Sequence, residues 1–265
     1  MGTILSNRQD GILRIQFNRP EKRNALTSAM YSAIAELLEE AQRDMAVKVV
    51  LVSALGDTYS AGNDLQDFLD HPPTSGDGPQ RKLMEALRLL DAPLVAAVQG
   101  AAVGSGATML TYCDFVYAGE HARLQYPFIN LALVPEFATS FSLPDQVGYL
   151  RAAEIILLGH PFSAAQALSM GLVTAVVPDE EVLAAAEKTA HELAQKPTAA
   201  LRASKQLMRR QLRPRLELAI QDEMNEFSER VRSQDTRDAI AAFLEKRHSH
   251  GGDHGAAEPP AATAE

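Results

Sequence analysis

Short blocks of hydrophobic residues along the first half of the chain predict strands and helices in turn. The opening residues predict a β-hairpin, with strands over 4–8 and 12–17 and a turn over 9–11. Thr27, a residue type that caps helices, precedes apolar positions repeated at helical spacing up to Ala41. Further blocks predict strands over 47–52, 94–98 and 115–118 and helices over 79–90 and 105–112.

After residue 182 the pattern becomes helical and stays so. Four amphipathic segments predict helices over 182–195, 198–210, 215–231 and 235–246. Short apolar strands alternating with helices indicate an α/β fold whose strands are largely buried. We therefore predict an α/β core over residues 1–195, a helical region over 196–247 and a disordered tail over 248–265, which is rich in Gly, Ala, Pro and His.

Composition and charge narrow the class of protein. The chain has 265 residues and a net charge of −9, which disfavours general binding to nucleic acid or to an anionic membrane. Its single cysteine, Cys113, excludes an intramolecular disulfide and fits a reducing compartment. No apolar run approaches the roughly 20 residues of a membrane span, and the N-terminus lacks the pattern of a signal peptide. We expect a cytoplasmic protein without a metal site.

Two segments rich in small residues follow predicted strands. They read VQGAAVGSGATML (98–110) and GDTYSAGNDL (56–65). The first does not match a phosphate-binding loop, because Met109 occupies the last Gly position of G-x-G-x-x-G and no Walker lysine is present. Two such turns can direct backbone N–H groups into one space and so form an oxyanion hole, which stabilises charge on a carbonyl oxygen. A turn with a packing role alone is the alternative.

Five sequence motifs follow one another along the chain: NRPEKRNAL (18–26), TYSAGNDL (58–65), APLVAAVQGAAVGSGATML (92–110), CDFVYAGEHARL (113–124) and GLVTAVVP (171–178). Together they resemble the crotonase family, the enoyl-CoA hydratase/isomerase superfamily. The resemblance extends over residues 3–247. It implies a core of repeated ββα turns wound as a spiral, and a C-terminal helical region that builds a homotrimer or a dimer of trimers. It also implies a coenzyme A thioester as substrate and no separate cofactor.

The same resemblance assigns roles to individual positions. The backbone N–H groups of Asn63 and Ser105 correspond to the two that hold the thioester carbonyl. Arg23 and Lys246 correspond to positions near the coenzyme phosphates and adenine. The remaining positions implied at the CoA thioester site are Ala25, Ala61, Asp64 and Gly104. Asp64 also stands at a predicted helix start, where a capping role is open.

The catalytic carboxylates distinguish members of the family. Hydratases of this family resemble one another in two glutamates, and the matching positions here are Thr108 and Phe128. Glu136 follows Pro135 in NLALVPEFATSF, a segment similar to that of peroxisomal-type Δ3,Δ2-enoyl-CoA isomerases, which use a single glutamate. The apolar neighbours of Glu136 predict a raised pKa, as suits a general base.

The resemblance thus implies a Δ3,Δ2-enoyl-CoA isomerase in which Glu136 carries a proton from the α carbon to the γ carbon. Two alternatives stay open: a hydratase-like enzyme with an unusual base, and a catalytically silent scaffold that binds CoA thioesters.

A basic run near the C-terminus is the last feature of the pattern. Between residues 202 and 215 the chain has six basic residues and no acidic one: Arg202, Lys205, Arg209, Arg210, Arg213 and Arg215. We expect these side chains to form a solvated helix face.

Overall fold

The computed structural model describes residues 2–70 and 76–249 and, in the last helix, omits the side chains of residues 243, 244 and 246–249. Its strands are β1 (Ile4–Gln9), β2 (Ile12–Phe17), β3 (Val49–Ala54), β4 (Leu94–Val98), β5 (Ala101–Val103), β6 (Phe115–Gly119), β7 (Arg123–Gln125), β8 (Phe162–Ser163) and β9 (Ala175–Val177). Its helices are α1 (Ser28–Arg43), α2 (Leu65–Asp70), α3 (Pro79–Leu89), α4 (Ser105–Thr108), α5 (Thr139–Val147), α6 (Tyr149–Leu158), α7 (Ala164–Ser169), α8 (Val182–Ala194), α9 (Thr198–Arg209), α10 (Arg213–Val231) and α11 (Gln234–Ser249). Short 3-10 turns lie at Pro20–Lys22, Met109–Tyr112, Phe128–Leu131 and Asp179–Glu181.

The larger sheet has the strand order β1-β2-β3-β4-β6-β9. The predicted hairpin pairs β1 with β2 antiparallel, and the strands from β2 to β9 pair in parallel. Asp10 and Gly11 both have positive φ, which matches the twist of a two-residue hairpin turn. A smaller sheet joins β5, β7 and β8. The sequence pattern did not predict β5 and β8.

Both faces of the larger sheet are buried, as predicted. Along β3, Val50 and Val52 point into the core that contains α1 and α3. Val49 and Leu51 point to the opposite face, where α8 packs through apolar residues that include Ala186. Because side chains alternate along a strand, an unbroken apolar run is what a strand covered on both faces requires.

The C-terminal helices correct part of the expectation of a solvated basic face. Arg210 and Arg215 are exposed, as expected, but two other cations of the run are buried. Arg202 of α9 is buried and donates hydrogen bonds to carbonyl groups at and beyond the end of α1, those of Ala41, Gln42, Asp44 and Val47. Lys205 is also buried and donates to Ala92 O at 2.8 Å and to Asp114 at 2.6 Å. These two cations satisfy buried oxygens and attach α9 to the core.

The predicted tail over 248–265 falls mostly outside the described residues, and α11 continues through Ser249. None of the helices within residues 2–70 and 76–249 combines the length and the apolar character that a membrane-spanning segment requires. The predicted helix over 105–112 divides into α4 and the 3-10 turn Met109–Tyr112.

Candidate active site

The two segments rich in small residues lie side by side. Ser60 N donates to Ala101 O at 3.0 Å, and Val103 N donates back to Ser60 O at 2.9 Å. Gly62 has φ +86°, and a Cβ built on it would lie 2.8 Å from Val103 O. Only glycine allows so close an approach with this backbone conformation. The backbone contact therefore places Asn63, which follows Gly62, and Ser105, which lies two residues after Val103, at one site.

The backbone N–H groups of Asn63 and Ser105 have no acceptor among the described residues. The N–H groups of Gly62, Asp64 and Gly104 donate instead to Ser60 Oγ, Leu26 O and Gln125 O. Ser105 is fully buried, so its N–H group is shielded from water. Two donors without internal acceptors at the junction of two tight turns have the character of an oxyanion hole.

Two side chains that the sequence pattern did not single out connect these residues. The Tyr31 hydroxyl of α1 lies within hydrogen-bonding distance of Asn63 Oδ1 at 2.5 Å and of Ser105 Oγ at 2.7 Å. Gln80 Nε2, in the first turn of α3, donates to Asn63 Oδ1 at 3.0 Å and to Glu136 Oε2 at 3.4 Å. Glu136 is thereby linked to both segments.

Glu136 is a buried carboxylate with few partners. Only 3% of the surface of Glu136 is exposed. Its Oε1 accepts no hydrogen bond from the described residues. Burial raises the pKa of Glu136 to about 8, since desolvation disfavours the charged form; Ser105 and Asn63 partly offset the increase, and the charge of Glu223 adds to it. The raised pKa agrees with the prediction from its apolar neighbours.

The turn that carries Glu136 has an unusual backbone. Phe137 and Ala138 both have left-handed φ, 60° and 55°, without being glycine. Such residues cost about 1–3 kcal/mol each and persist where the surroundings hold them. Tyr112 donates its hydroxyl proton to Phe137 O at 2.9 Å, and Thr139 donates to Glu136 O from both N (3.1 Å) and Oγ1 (2.6 Å).

The two positions where hydratases of the family have glutamates are occupied by non-ionisable side chains. Thr108 ends α4 and is fully buried, with Oγ1 unpaired among the described residues. Phe128 is buried at the start of a 3-10 turn. Neither side chain can accept a proton from water.

The residues implied at the CoA site lie on two paired segments. Ala61 N donates to Arg23 O at 2.9 Å, and Leu26 N donates to Gly62 O at 2.8 Å, so residues 23–26 run beside 61–64. Arg23 is exposed, whereas Ala25 is half-buried. Lys246 lies in α11, and its side chain is outside the described part of the structure.

Asp64 has structural partners. Its carboxylate accepts from Gln66 N and Asp67 N at the start of α2 and pairs with Arg19 at 2.6 Å. Burial raises the pKa of Asp64, but the hydrogen bond from Arg19 and those from the helix start outweigh it and leave the pKa lowered. The capping alternative is confirmed; a role in CoA binding stays a prediction. Within residues 2–70 and 76–249, no three His, Cys, Asp or Glu side chains are grouped to hold a metal ion.

Comparison with known proteins places the chain in a family. A family model described as enoyl-CoA hydratase/isomerase matches residues 7–253. Enoyl-CoA delta isomerase 2 of Homo sapiens is 34% identical over 252 residues, 92% of this chain, but the chain spans only 64% of that relative. The 2,3-dehydroadipyl-CoA hydratase of Escherichia coli K12 is 32% identical over 248 residues, 93% of this chain and 97% of the relative.

Solved structures agree on the fold. OdaA of Pseudomonas aeruginosa aligns with a TM-score of 0.89 at 42% identity, over 92% of this chain and 99% of that one. The predicted fold class, a crotonase-like α/β core with a C-terminal helical part, is confirmed. Relatives named as isomerases and as hydratases are similar to nearly the same degree, so likeness alone leaves the reaction open. The chain belongs to the enoyl-CoA hydratase/isomerase family.

Proposed function

We propose that the protein is a Δ3,Δ2-enoyl-CoA isomerase that uses Glu136 as its single acid–base group. The observation that carries the proposal is a buried carboxylate with a raised pKa, linked through Gln80 to the site formed by the two segments. Within residues 2–70 and 76–249, one oxygen of this carboxylate and the backbone N–H groups of Asn63 and Ser105 have no hydrogen-bond partner. This is the set of groups that a 1,3-proton shift beside a thioester requires.

The reaction follows from these groups. The thioester oxygen of a 3-enoyl-CoA accepts hydrogen bonds from Asn63 N and Ser105 N. The carboxylate of Glu136 removes a proton from the α carbon, and the electron pair spreads into the thioester oxygen, where the two N–H groups stabilise the charge. The same carboxylic acid returns the proton to the γ carbon, which leaves a conjugated 2-enoyl-CoA.

A pKa near 8 suits Glu136 for both halves of this cycle. The carboxylate must be basic enough to take a weakly acidic proton and acidic enough to return it. An exposed glutamate, with a pKa of about 4.3, would be a much weaker base. Burial is thus the main source of the basicity, and the charge of Glu223 adds to it.

The occupants of the hydratase positions favour isomerisation over hydration. A hydratase of the two-glutamate type needs one group to activate water and another to protonate the α carbon. Thr108 and Phe128 offer neither group. The similarity to enoyl-CoA delta isomerase 2 supports the same choice.

Substrate binding and assembly complete the proposal. Arg23 and Lys246 carry positive charge that suits the phosphates of coenzyme A. We also propose a homotrimer or a dimer of trimers, since Leu207, Met208 and Leu218 leave large apolar side chains exposed on α9 and α10.

The test compares 3-hexenoyl-CoA with 2-hexenoyl-CoA as substrates of the wild-type protein and two variants. We expect wild type to isomerise the first, and Glu136→Gln to lose about 10,000-fold in kcat with little change in KM, near the upper end of general-base effects. Asp145→Asn, which alters an exposed carboxylate of α5, is the matched control and should keep wild-type turnover. Retention of more than about a tenth of the rate by Glu136→Gln would exclude Glu136 as the base.

The same assay judges the alternatives. Hydration of 2-hexenoyl-CoA without isomerisation would indicate a hydratase with an unusual base. Binding of both thioesters without turnover would indicate a catalytically silent scaffold.

A further inference from the structure

A second buried carboxylate lies close to Glu136 and has no part in the proposed reaction. Glu223 of α10 has 6% of its surface exposed. Its Oε1 accepts a hydrogen bond from Ser140 N at 2.7 Å, and its Oε2 has no partner among the described residues. The two bonded residues are 83 positions apart in the sequence, so this contact joins the C-terminal helical region to the segment that carries Glu136.

The contact with Ser140 provides a cap that α5 lacks locally. The residue before α5 is Ala138, in a left-handed conformation and without a side chain that can accept a hydrogen bond. Helix N-termini leave N–H groups unpaired, and a nearby carboxylate both accepts from them and is favoured by the helix dipole. Glu223, which lies on α10, therefore caps the N-terminus of α5.

The cap also bears on the turn before α5. Glu136 O is bonded by Thr139 N and Oγ1, and Ser140 follows directly. The left-handed residues Phe137 and Ala138 are therefore held between Thr139 and Ser140 on one side and Tyr112 on the other. Loss of the hydrogen bond at Ser140 would release one of the contacts that oppose relaxation of this turn.

We propose that Glu223 is a positioning residue: by holding Ser140 N it keeps the turn at 136–139 in the conformation that presents the Glu136 carboxylate to Asn63 and Ser105. The proposal rests on the function proposed for Glu136. In this proposal Glu223 acts through Ser140 and not by contact with the substrate.

The charge of Glu223 acts on Glu136 as well. It adds to the effect of burial in raising the pKa of Glu136. Burial also raises the pKa of Glu223 to about 7, and hydrogen bonds from Ser140 and from the backbone of Ala138 offset part of that increase. The other charged or titratable groups near the pair are Tyr31 of α1, Tyr112, Arg209 of α9 and Asp222 of α10. The remaining charged groups on the neighbouring helices have other partners. Arg81 and Arg88 of α3 pair with Glu217. Arg237 and Asp238 of α11 form hydrogen bonds with Gln234.

Two substitutions separate the geometry from the charge. Glu223→Gln keeps an oxygen that accepts from Ser140 N but removes the charge. Glu223→Ala removes both. Asp222→Ala is the matched control, because it removes an exposed carboxylate from the adjacent position of the same helix.

The expected results differ between the variants. Glu223→Ala should lower kcat for 3-hexenoyl-CoA by about 10- to 100-fold with KM nearly unchanged, as slight misplacement of a catalytic group does. Glu223→Gln should retain kcat within about threefold at high pH, and the acidic limb of its pH profile should shift to lower pH by about half a unit or more. Asp222→Ala should keep wild-type kcat.

Two readouts do not depend on turnover. Hydrogen exchange should show Ser140 N–H protected in wild type and Glu223→Gln but not in Glu223→Ala. A carboxyl-carbon NMR titration, with Glu136 assigned by its loss in Glu136→Gln, should show a lower pKa for Glu136 in Glu223→Gln than in wild type.

The outcomes are distinct. Wild-type kcat in Glu223→Ala, or a kcat in folded Glu223→Gln as low as in Glu223→Ala, would overturn the positioning role. If Glu223→Ala does not fold, the positioning role is tested by two measurements on Glu223→Gln: the protection of Ser140 N–H from hydrogen exchange, and kcat for 3-hexenoyl-CoA. If wild type does not isomerise 3-hexenoyl-CoA, the proposed function fails. The hydrogen-exchange and NMR measurements then still test whether Glu223 holds Ser140 N and raises the pKa of Glu136.

Discussion

Glu136→Gln should remove activity and should also remove a loss of folding stability that the wild-type protein suffers as pH rises above about 5. Burial raises the pKa of Glu136 from about 4.5 to about 8. Between these values the folded protein keeps a proton that the unfolded chain has lost. Folding stability therefore falls as pH rises through this window. A glutamine at the same place is neutral in both states and removes this dependence.

The magnitude follows from the pKa shift. Each pH unit within the window costs the wild-type protein about 1.4 kcal/mol. The destabilisation by Glu136 is therefore below about 1 kcal/mol at pH 5, about 3 kcal/mol at pH 7 and about 4 kcal/mol at pH 8. The buried amide that Glu136→Gln introduces has its own constant cost, so the informative quantity is the change between pH 5 and pH 8, about 3 kcal/mol.

The assay is thermal unfolding of both proteins at pH 5, 6.5 and 8 and at one protein concentration. At about 2–4 °C per kcal/mol, the Tm of Glu136→Gln relative to wild type should rise by roughly 6–12 °C between pH 5 and pH 8. Glu226→Gln, which alters an exposed carboxylate of α10, is the control and should show a much smaller change. A Tm difference that stays constant over this pH range would refute the claim that burial makes Glu136 a strong base.

Three further outcomes are expected. Tyr31→Phe removes the hydroxyl beside Asn63 Oδ1 and Ser105 Oγ, which should cost about 1–3 kcal/mol in urea unfolding; an unchanged unfolding midpoint would contradict the network. Gly62→Ala places a Cβ 2.8 Å from Val103 O, so we expect turnover of 3-hexenoyl-CoA to fall at least tenfold, equivalent to about 1.4 kcal/mol. Normal kinetics in this variant would show that the two segments can move apart without loss of activity. Sedimentation at micromolar concentration should show a trimer or hexamer, and a clean monomer would exclude the proposed assembly.

Local sequence patterns determined much of the architecture. The hairpin, the cap at Thr27 and the apolar run of β3 each depend on residues close together in the chain, so their periodicity and turn residues suffice to predict them. The same holds for the glycine-rich turns. The apolar neighbours of Glu136 in the chain likewise predicted a raised pKa, and burial of the side chain raises it.

Tertiary structure alone decided which side chains support the site. Tyr31 lies 74 residues from Ser105, and Glu223 lies 83 residues from Ser140; neither pairing leaves a trace in local periodicity. The burial of Lys205 of α9 likewise depends on two partners in the core, the carboxylate of Asp114 and the carbonyl of Ala92. A sequence reports the chemistry of each residue, but a buried polar group acquires its partner only when distant elements pack together, because removal from water is what makes that partner necessary.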